Sequence, residues 1–254
     1  MRTHHDGRHE LGQNFLTDPA AIRAVVDLVA RTSGPIVEIG PGAGALTLPL
    51  AALGRPLTAV EVDGRRVREL RDRLGPGASV VRADFLDFRL PAAPHVLVGN
   101  LPFHRTTAVL RRIVHSGHWT DAVLLVQWEV ARRRAGVGGA TMMTAQWWPW
   151  YDFALHRRVP AEAFRPRPGV DGGLLTATRR TRPLVPDPDR RAYQAFVHRV
   201  FTGRGRGLRQ VVRAAFPAAR TSAWARRHGV TDRVLPRDLR AEQWAELFEL
   251  VRRA

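Results

Sequence analysis

Short apolar runs alternate with segments of helical periodicity over the first two thirds of the chain. Between residues 19 and 30 the apolar side chains recur at helical spacing, which predicts a helix capped by Thr17 or Asp18. Further helices are predicted from about residue 45, at 65–74 and at 128–134. Strands are predicted at 36–39, 57–62, 79–82, 96–99 and 123–127, and the region 141–178 is predicted to hold at least two more, one of them at 174–177. Strands that alternate with helices indicate an α/β fold with a mostly parallel sheet covered on both faces.

The pattern changes near residues 179–190, where the stretch RRTRPLVPDPDR combines charge with three prolines. Proline lacks a backbone N–H and interrupts regular structure, so this stretch is typical of a linker. Helical periodicity then predicts four helices, at 190–201, 207–216, 221–228 and 241–252. We therefore expect an α/β domain over residues 1–180, with a flexible tail at 1–11, and a small all-helical domain over 181–254.

Composition narrows the class of protein. The 254 residues carry a formal net charge of +17 and include no cysteine, which excludes disulfides, thiolate zinc sites and iron–sulfur clusters. His4, His5 and His9 lie in a polar terminal stretch and are expected to be solvated, so we expect no metal site. Apolar runs stay below the ~20 residues that span a bilayer, and the first ten residues lack a signal-peptide core. We expect a cytoplasmic protein without membrane contact.

The positive charge is concentrated towards the C-terminus. Residues 176–254 carry 18 arginines and 7 acidic side chains, whereas residues 1–175 carry 22 and 16. The electrostatic field of this positive charge attracts polyanions, and nucleic acid is the polyanion that a cytoplasmic protein usually meets. All the basic residues are arginine, which is typical of GC-rich codon usage, so a merely solvated basic surface is the alternative.

A glycine-rich turn lies between the strand predicted at 36–39 and the next helix. Because glycine has no Cβ, its residues Gly40, Gly42 and Gly44 let the backbone turn sharply and approach a ligand. Two carboxylates follow at the ends of later strands and can accept hydrogen bonds from ribose hydroxyls and an adenine amino group: Glu61 and Asp84. The pattern predicts a site for a nucleoside-containing cofactor. It also fits the fingerprint of dinucleotide-binding proteins, so it does not choose between these cofactors. For the glycine-rich turn the alternative is a purely structural role, and for Asp84 it is a helix cap.

The segment NLPF directly follows an apolar strand, at a carboxyl end of the sheet where open α/β folds bind ligands. The Asn100 side chain and the Leu101 backbone can each offer a carbonyl to an exocyclic amine, while Pro102 fixes the turn. Phe103 offers a flat face on which a base can stack. We interpret the segment as a site of methyl transfer to the amino group of an unpaired or flipped-out adenine. An ordinary turn is the alternative.

Six segments carry a resemblance to one family, in its order and spacing across nearly the whole chain: GQNFL (12–16), EIGPGAGALT (38–47), VEVD (60–63), ADFLDF (83–88), GNLPF (99–103) and FRPRPGVDGGLL (164–175). The chain resembles the ribosomal RNA adenine N6-methyltransferases. The segments TTAVLRRIV, QWEVARRRAGVGG and FTGRGRGLRQ resemble the actinobacterial erythromycin-resistance (Erm) branch. The housekeeping small-subunit dimethylases usually have Gln-Lys-Glu-Val-Ala where this chain has QWEVA, a departure that favours Erm.

The resemblance implies a Rossmann-like S-adenosylmethionine-dependent catalytic domain followed by a helical RNA-binding domain. It implies that the cofactor is bound by residues from the N-terminal segment and the sheet edge: Asn14, Leu16, Gly40, Gly42, Gly44, Glu61, Asp84 and Asn100. It also implies the substrate, one adenine of 23S ribosomal RNA in the peptidyl-transferase region, in protein-free or precursor RNA. Its methylation blocks macrolide, lincosamide and streptogramin B binding. We expect the protein to act as a monomer.

Three alternatives stay open. A 16S ribosomal RNA adenine dimethyltransferase acting in ribosome maturation is the nearest. An NAD-linked dehydrogenase fits the glycine turn and Glu61 but gives NLPF and the basic tail no role. A non-enzymatic RNA-binding protein for ribosome assembly fits the charge but not the two carboxylates. The segment Trp147–Trp150 is interpreted as core rather than as a base-stacking platform.

Overall fold

The computed structural model describes residues 14–216 and 218–252. Its strands are β1 Phe15–Leu16, β2 Ile36–Ile39, β3 Leu57–Glu61, β4 Ala78–Arg82, β5 His95–Asn100, β6 Trp119–Gln127, β7 Tyr151–Val159, β8 Phe164–Arg165 and β9 Gly172–Arg179. Its helices are α1 Pro19–Ala30, α2 Thr47–Ala51, α3 Gly64–Arg71, α4 Thr106–His115, α5 Trp128–Arg134, α6 Met142–Trp147, α7 Arg190–Thr202, α8 Leu208–Ala215, α9 Ala218–Arg227 and α10 Ala241–Arg252. None of the described helices is both long and apolar enough to cross a bilayer.

A seven-stranded sheet, in the order β4-β3-β2-β5-β6-β9-β7, forms the centre of the fold. The pairs β2–β3, β2–β5, β3–β4 and β5–β6 are all parallel. The carboxyl ends of five strands therefore meet at one edge. Because β3 ends at Glu61, β5 ends at Asn100 and Asp84 follows β4 closely, this edge gathers the polar residues that the sequence singled out.

The apolar residues that defined the predicted elements form the core of the sheet. Val25 and Val29 on one face of α1 pack in a buried cluster with Ile36, Leu57 and Val98 from three strands. Each of these side chains is almost fully excluded from water. Burial of an aliphatic side chain of this size contributes roughly 1.5–3 kcal/mol to folding. The core therefore holds the strand ends, and the residues on them, in fixed positions.

The described chain divides into two compact units, one formed by residues up to 131 with 155–176, the other by 132–154 with those from 177 on. In the second unit the Tyr193 hydroxyl of α7 donates to the Ala145 carbonyl of α6 at 2.8 Å. Trp147 and Trp150 are buried, with ring centroids 6.3 Å apart. The core interpretation of these tryptophans is confirmed, and their packing explains why residues 132–154 group with the C-terminal helices.

Several predicted features differ from the structure or lie beyond it. The two compact units differ from the predicted division at residues 180 and 181, and the functional division into a catalytic and an RNA-binding domain stays a prediction. His4, His5, His9 and the tail at 1–11 lie outside the described residues. The helices α4 and α6 and the two-residue strands β1 and β8 were not predicted.

Candidate active site

The glycine-rich turn joins β2 to α2 in a conformation that other residues rarely adopt. Gly40, Gly42 and Gly44 have φ angles of +64°, +55° and +87°. A Cβ at Gly42 would lie 2.9 Å from the ring of Phe15, so a side chain there would displace the N-terminal segment. The structure therefore explains the predicted need for glycine by backbone conformation and by close approach of an aromatic ring.

Glu61 fixes this turn from the end of β3. Its Oε2 accepts a hydrogen bond from the Gly42 amide at 3.0 Å, and its Oε1 accepts one from the Asp63 amide at 3.0 Å. The side chain is buried, with the residue 2% exposed. A carboxylate oxygen can accept a second hydrogen bond, so contact with a ribose stays a prediction beside this structural role.

Asp84 lies after β4 and is held from two directions. Its Oδ1 accepts from the Leu86 amide at 2.9 Å, and its Oδ2 accepts from the Arg105 guanidinium at 2.8 Å. Partial burial raises the pKa of the Asp84 carboxyl, but the Leu86 amide and the Arg105 charge outweigh it, and the net pKa is lowered. Asp84 is therefore an ionised hydrogen-bond acceptor, which is the state needed to accept a hydrogen bond from an adenine amino group.

The side-chain amide of Asn100 is oriented by the N-terminal segment. Its Nδ2 donates to the backbone carbonyl of Asn14 at 2.7 Å. A carbonyl oxygen can only accept, so the amide nitrogen must face Asn14 and the oxygen Oδ1 must face away. Within the described chain no residue donates to Oδ1. The predicted acceptor is thus positioned with its hydrogen-bonding capacity available.

The rest of the NLPF turn divides into structural and accessible groups. The Leu101 side chain is buried, and its amide extends the pairing with β6 by donating to the Leu125 carbonyl at 2.9 Å. The Pro102 carbonyl accepts from the Arg105 amide at 2.9 Å, which starts α4. Phe103 is half-buried, and its ring meets that of Phe164 edge to face with centroids 6.0 Å apart. Phe103 is therefore partly accessible, and its stacking on a base stays a prediction.

The two-stranded sheet formed by β1 and β8 completes the site, and sequence analysis gave its residues Phe15 and Phe164 no role. Strand β1 pairs antiparallel with β8, placing Leu16 opposite Phe164. The Thr17 amide continues this pairing by donating to the Ala163 carbonyl at 2.8 Å. The only signal in the sequence was that both segments belong to motifs of the resemblance. Their pairing positions the Asn14 carbonyl that orients Asn100.

A cavity of about 330 Å³ opens between the glycine turn and the N-terminal segment. Four predicted cofactor residues line it, and four others do not. Those that line it are Leu16, Gly40, Gly44 and Asn100. Those that do not are Asn14, Gly42, Glu61 and Asp84. Glu61 ends β3 and Asp84 follows β4, the two strands on the other side of the glycine turn, so the predicted site extends along the sheet edge beyond the cavity.

Glu38 also lines the cavity, and sequence analysis did not single it out. It is 1% exposed, and its Oε2 has no hydrogen-bond partner within the described residues. The pKa of its carboxyl is raised from 4.5 to about 8: burial is the largest cause, the nearby Thr47 hydroxyl offsets part of it, and the negative charge of Glu61 adds to it. A buried carboxyl without a partner beside a cavity is suited to receive a cationic or hydrogen-bond-donating group of a ligand.

Comparison with known proteins decides the family. The family model for ribosomal RNA adenine dimethylases matches residues 4–253. The chain belongs to the ribosomal RNA adenine dimethylase family. Membership in the dimethylase family confirms the predicted class of enzyme, a ribosomal RNA adenine methyltransferase, and removes the dehydrogenase and non-enzymatic alternatives.

Relatives within the dimethylase family include Erm-type proteins. The chain is 58% identical over 214 residues to an rRNA adenine N-6-methyltransferase of Corynebacterium diphtheriae, covering 84% of this chain and 85% of the relative. It is 48% identical to the mycinamicin-resistance protein MyrB of Micromonospora griseorubida, over 97% of this chain and 79% of the relative. The crystal structure of the 23S rRNA methyltransferase ErmE matches with a TM-score of 0.87 at 32% identity, over 94% of this chain and all of that one. The predicted fold class and Erm resemblance are confirmed.

Proposed function

We propose that the chain transfers a methyl group from S-adenosylmethionine to N6 of an unpaired adenine in 23S ribosomal RNA, and so confers macrolide, lincosamide and streptogramin B resistance. The Asn100 carboxamide carries the proposal, because its bond to the Asn14 carbonyl leaves Oδ1 available at the end of the strand that leads into Phe103. The relatives named ErmE and MyrB support the 23S target and the resistance. We place the activity in the cytoplasm, and the expected monomer stays a prediction.

The residues of the site fit S-adenosylmethionine. Glu38 offers an unpartnered carboxyl oxygen at the cavity, suited to an amino-acid ammonium group. Asp84 offers an ionised acceptor for an adenine amino group, and Glu61 has unused acceptor capacity for a ribose. When bound, the cofactor supplies a methyl group activated on a positively charged sulfur. The chain then needs to orient the acceptor and exclude water rather than to provide a strong base.

The NLPF turn orients the target amine. Asn100 Oδ1 and the Leu101 backbone carbonyl each accept one N–H of the adenine amino group, which directs the nitrogen lone pair away from the ring. Both carbonyls stabilise the positive charge that develops on the nitrogen, before its proton leaves to water. Stacking on Phe103 fixes the plane of the base and favours the same charge. The amine requires no general base, because it becomes acidic as its new bond forms.

Arginines supply affinity for the phosphates of the RNA. Arg133 of α5 is exposed, whereas the neighbouring Arg134 donates to the Thr141 hydroxyl at 2.7 Å and so stabilises the second unit. The structure therefore favours Arg133 and the exposed arginines of the C-terminal helices as phosphate ligands. Binding through such contacts weakens steeply with rising salt because it releases counterions.

Labelling of ribosomal RNA tests the proposed function. The protein is incubated with methyl-tritiated S-adenosylmethionine and protein-free 23S or 16S RNA, and the modified nucleotide is mapped by primer extension. We expect label at one adenine of the peptidyl-transferase region of 23S RNA and none in 16S RNA. Label confined to 16S RNA would establish the small-subunit dimethylase alternative, and label in neither RNA would contradict the proposed activity.

Replacement of Phe103 tests its stacking role. We expect Phe103→Ala to lower kcat/KM for the RNA about ten- to hundredfold, the range that loss of one base–aromatic stack gives. Phe103→Tyr keeps the ring and should retain most of the activity. Single-turnover methylation and the Kd of S-adenosylhomocysteine are measured for both variants. Equal losses in the two variants, or a loss of cofactor affinity alone, would refute stacking on the target base.

A further inference from the structure

Arg105 connects two parts of the sheet edge that the sequence treats separately. Its backbone N–H donates to the Pro102 carbonyl at 2.9 Å, so it closes the NLPF turn. Its side-chain Nη2 donates to Asp84 Oδ2 at 2.8 Å, across 21 residues of sequence. One residue therefore joins the turn after β5 to the loop after β4.

We propose that Arg105 is a positioning residue for cofactor recognition, which holds the Asp84 carboxylate in the orientation that reads the adenine amino group of S-adenosylmethionine. Through its backbone it also ties this acceptor to the turn that receives the target base. The inference rests on the proposed function, because it takes Asp84 as the adenine acceptor.

The contacts around Asp84 support an orienting role. The Leu86 amide binds Oδ1 and the Arg105 guanidinium binds Oδ2, so the plane of the carboxylate is fixed from both sides. Each oxygen keeps acceptor capacity for a ligand. The loop itself is anchored where the Ala83 amide donates to the Glu61 carbonyl at 2.9 Å. With the backbone fixed, the remaining freedom of Asp84 is rotation of its side chain, and Arg105 removes it.

The solvent exposure of the Arg105–Asp84 ion pair indicates that it orients Asp84 rather than stabilises the fold. The Arg105 and Asp84 side chains are 37% and 30% exposed. Ion pairs exposed to this extent contribute little to the free energy of folding. Arg105 is also the one charged group, within the described residues, that contributes to the lowered pKa of Asp84. An aspartate is ionised at neutral pH in any case, so the pair contributes a fixed direction for Oδ2 rather than the charge of Asp84.

The positioning role of Arg105 can be measured without catalysis, by comparing the affinities of two ligands that differ at the adenine amino group. The purine-riboside analogue of S-adenosylhomocysteine carries a hydrogen atom in place of the adenine amino group and so offers no N–H to Asp84. We expect calorimetry to show that the wild-type protein prefers S-adenosylhomocysteine by about tenfold or more, since a site built to accept an N–H rejects a ligand without it. Arg105→Gln should reduce this preference about tenfold by raising the Kd of S-adenosylhomocysteine alone. Arg105→Lys should recover part of it.

Two further variants complete the experiment. Arg65→Gln removes an exposed pair within α3, 3.3 Å from Glu69, and should leave the preference unchanged. Asp84→Asn should abolish the preference, and adding Arg105→Gln to it should change nothing more, because Arg105 acts through Asp84. An unchanged preference in folded Arg105→Gln, verified by its melting temperature, would overturn the inference while leaving the cofactor assignment intact. A wild-type protein that binds neither ligand would instead overturn the proposed function.

Discussion

Asn100→Ala is expected to lower the rate of methyl transfer by a factor on the order of 10³, the loss seen when one preorganised hydrogen-bonding group is removed from a transition state. The substitution removes Oδ1, the acceptor that holds one N–H of the target amine, and leaves the amine free to rotate. It also removes the bond from Nδ2 to the Asn14 carbonyl, 2.7 Å long. Cofactor affinity should change by less than about tenfold, because the cofactor's other predicted contacts remain.

Two measurements separate this effect from a binding defect. Single-turnover methylation of 23S RNA reports the chemical step, and calorimetry with S-adenosylhomocysteine reports cofactor binding. Asn100→Asp keeps an oxygen at the Oδ1 position but places a second oxygen against the Asn14 carbonyl, so it tests orientation separately. We expect Asn100→Asp to be impaired as well, because the two oxygens repel. Wild-type turnover by Asn100→Ala would remove the role assigned to this side chain.

Six of the seven strands of the sheet could be predicted at their positions, because each contains a short apolar run. Strand β7 was covered only by the region 141–178, because polar and charged residues interrupt its sequence YDFALHRRV. The predicted helix at 19–30 and strand at 36–39 coincide with α1 and β2, whose apolar spacing is regular. Strand β1 has two residues and pairs only with the distant β8, so no local period marks it. Helix α6 leads into the tryptophan segment, whose continuous apolar character hides a helical repeat.

The candidate site was predictable in residue type but not in its hydrogen bonds. Spacing placed Glu61 and Asn100 at the carboxyl ends of strands, where parallel pairing brings them to one edge. It could not show that Glu61 binds the Gly42 amide or that Asn14 orients Asn100, because both contacts form between distant parts of the chain. Glu38 was missed for a different reason. It lies within the apolar run IVEI, where a single carboxylate does not disturb the strand pattern.

Glu38→Gln is expected to become progressively more stable than wild type as the pH rises from about 4.5 to about 8. In the folded protein the pKa of Glu38 is raised from 4.5 to about 8, chiefly by burial. Between these values the folded state holds a proton at Glu38 that the unfolded state has released. The free energy of unfolding therefore falls with rising pH by about 1.4 kcal/mol per unit from this group. Its contribution is fully present below pH 4.5 and is lost as the pH rises through about 8.

Glutamine mimics the protonated carboxyl and does not titrate, so the two proteins should have similar stability at low pH and diverge as pH rises. Urea unfolding of the cofactor-free protein between pH 5 and pH 9 measures the difference. Glu69→Gln, at an exposed carboxyl on α3, is the matched control and should follow wild type. Parallel curves for wild type and Glu38→Gln would contradict the burial argument. The substitution should also weaken S-adenosylhomocysteine binding, because the neutral amide no longer attracts the ligand's ammonium group. A gain of stability at the expense of binding would mark Glu38 as a group kept for its ligand rather than for the fold.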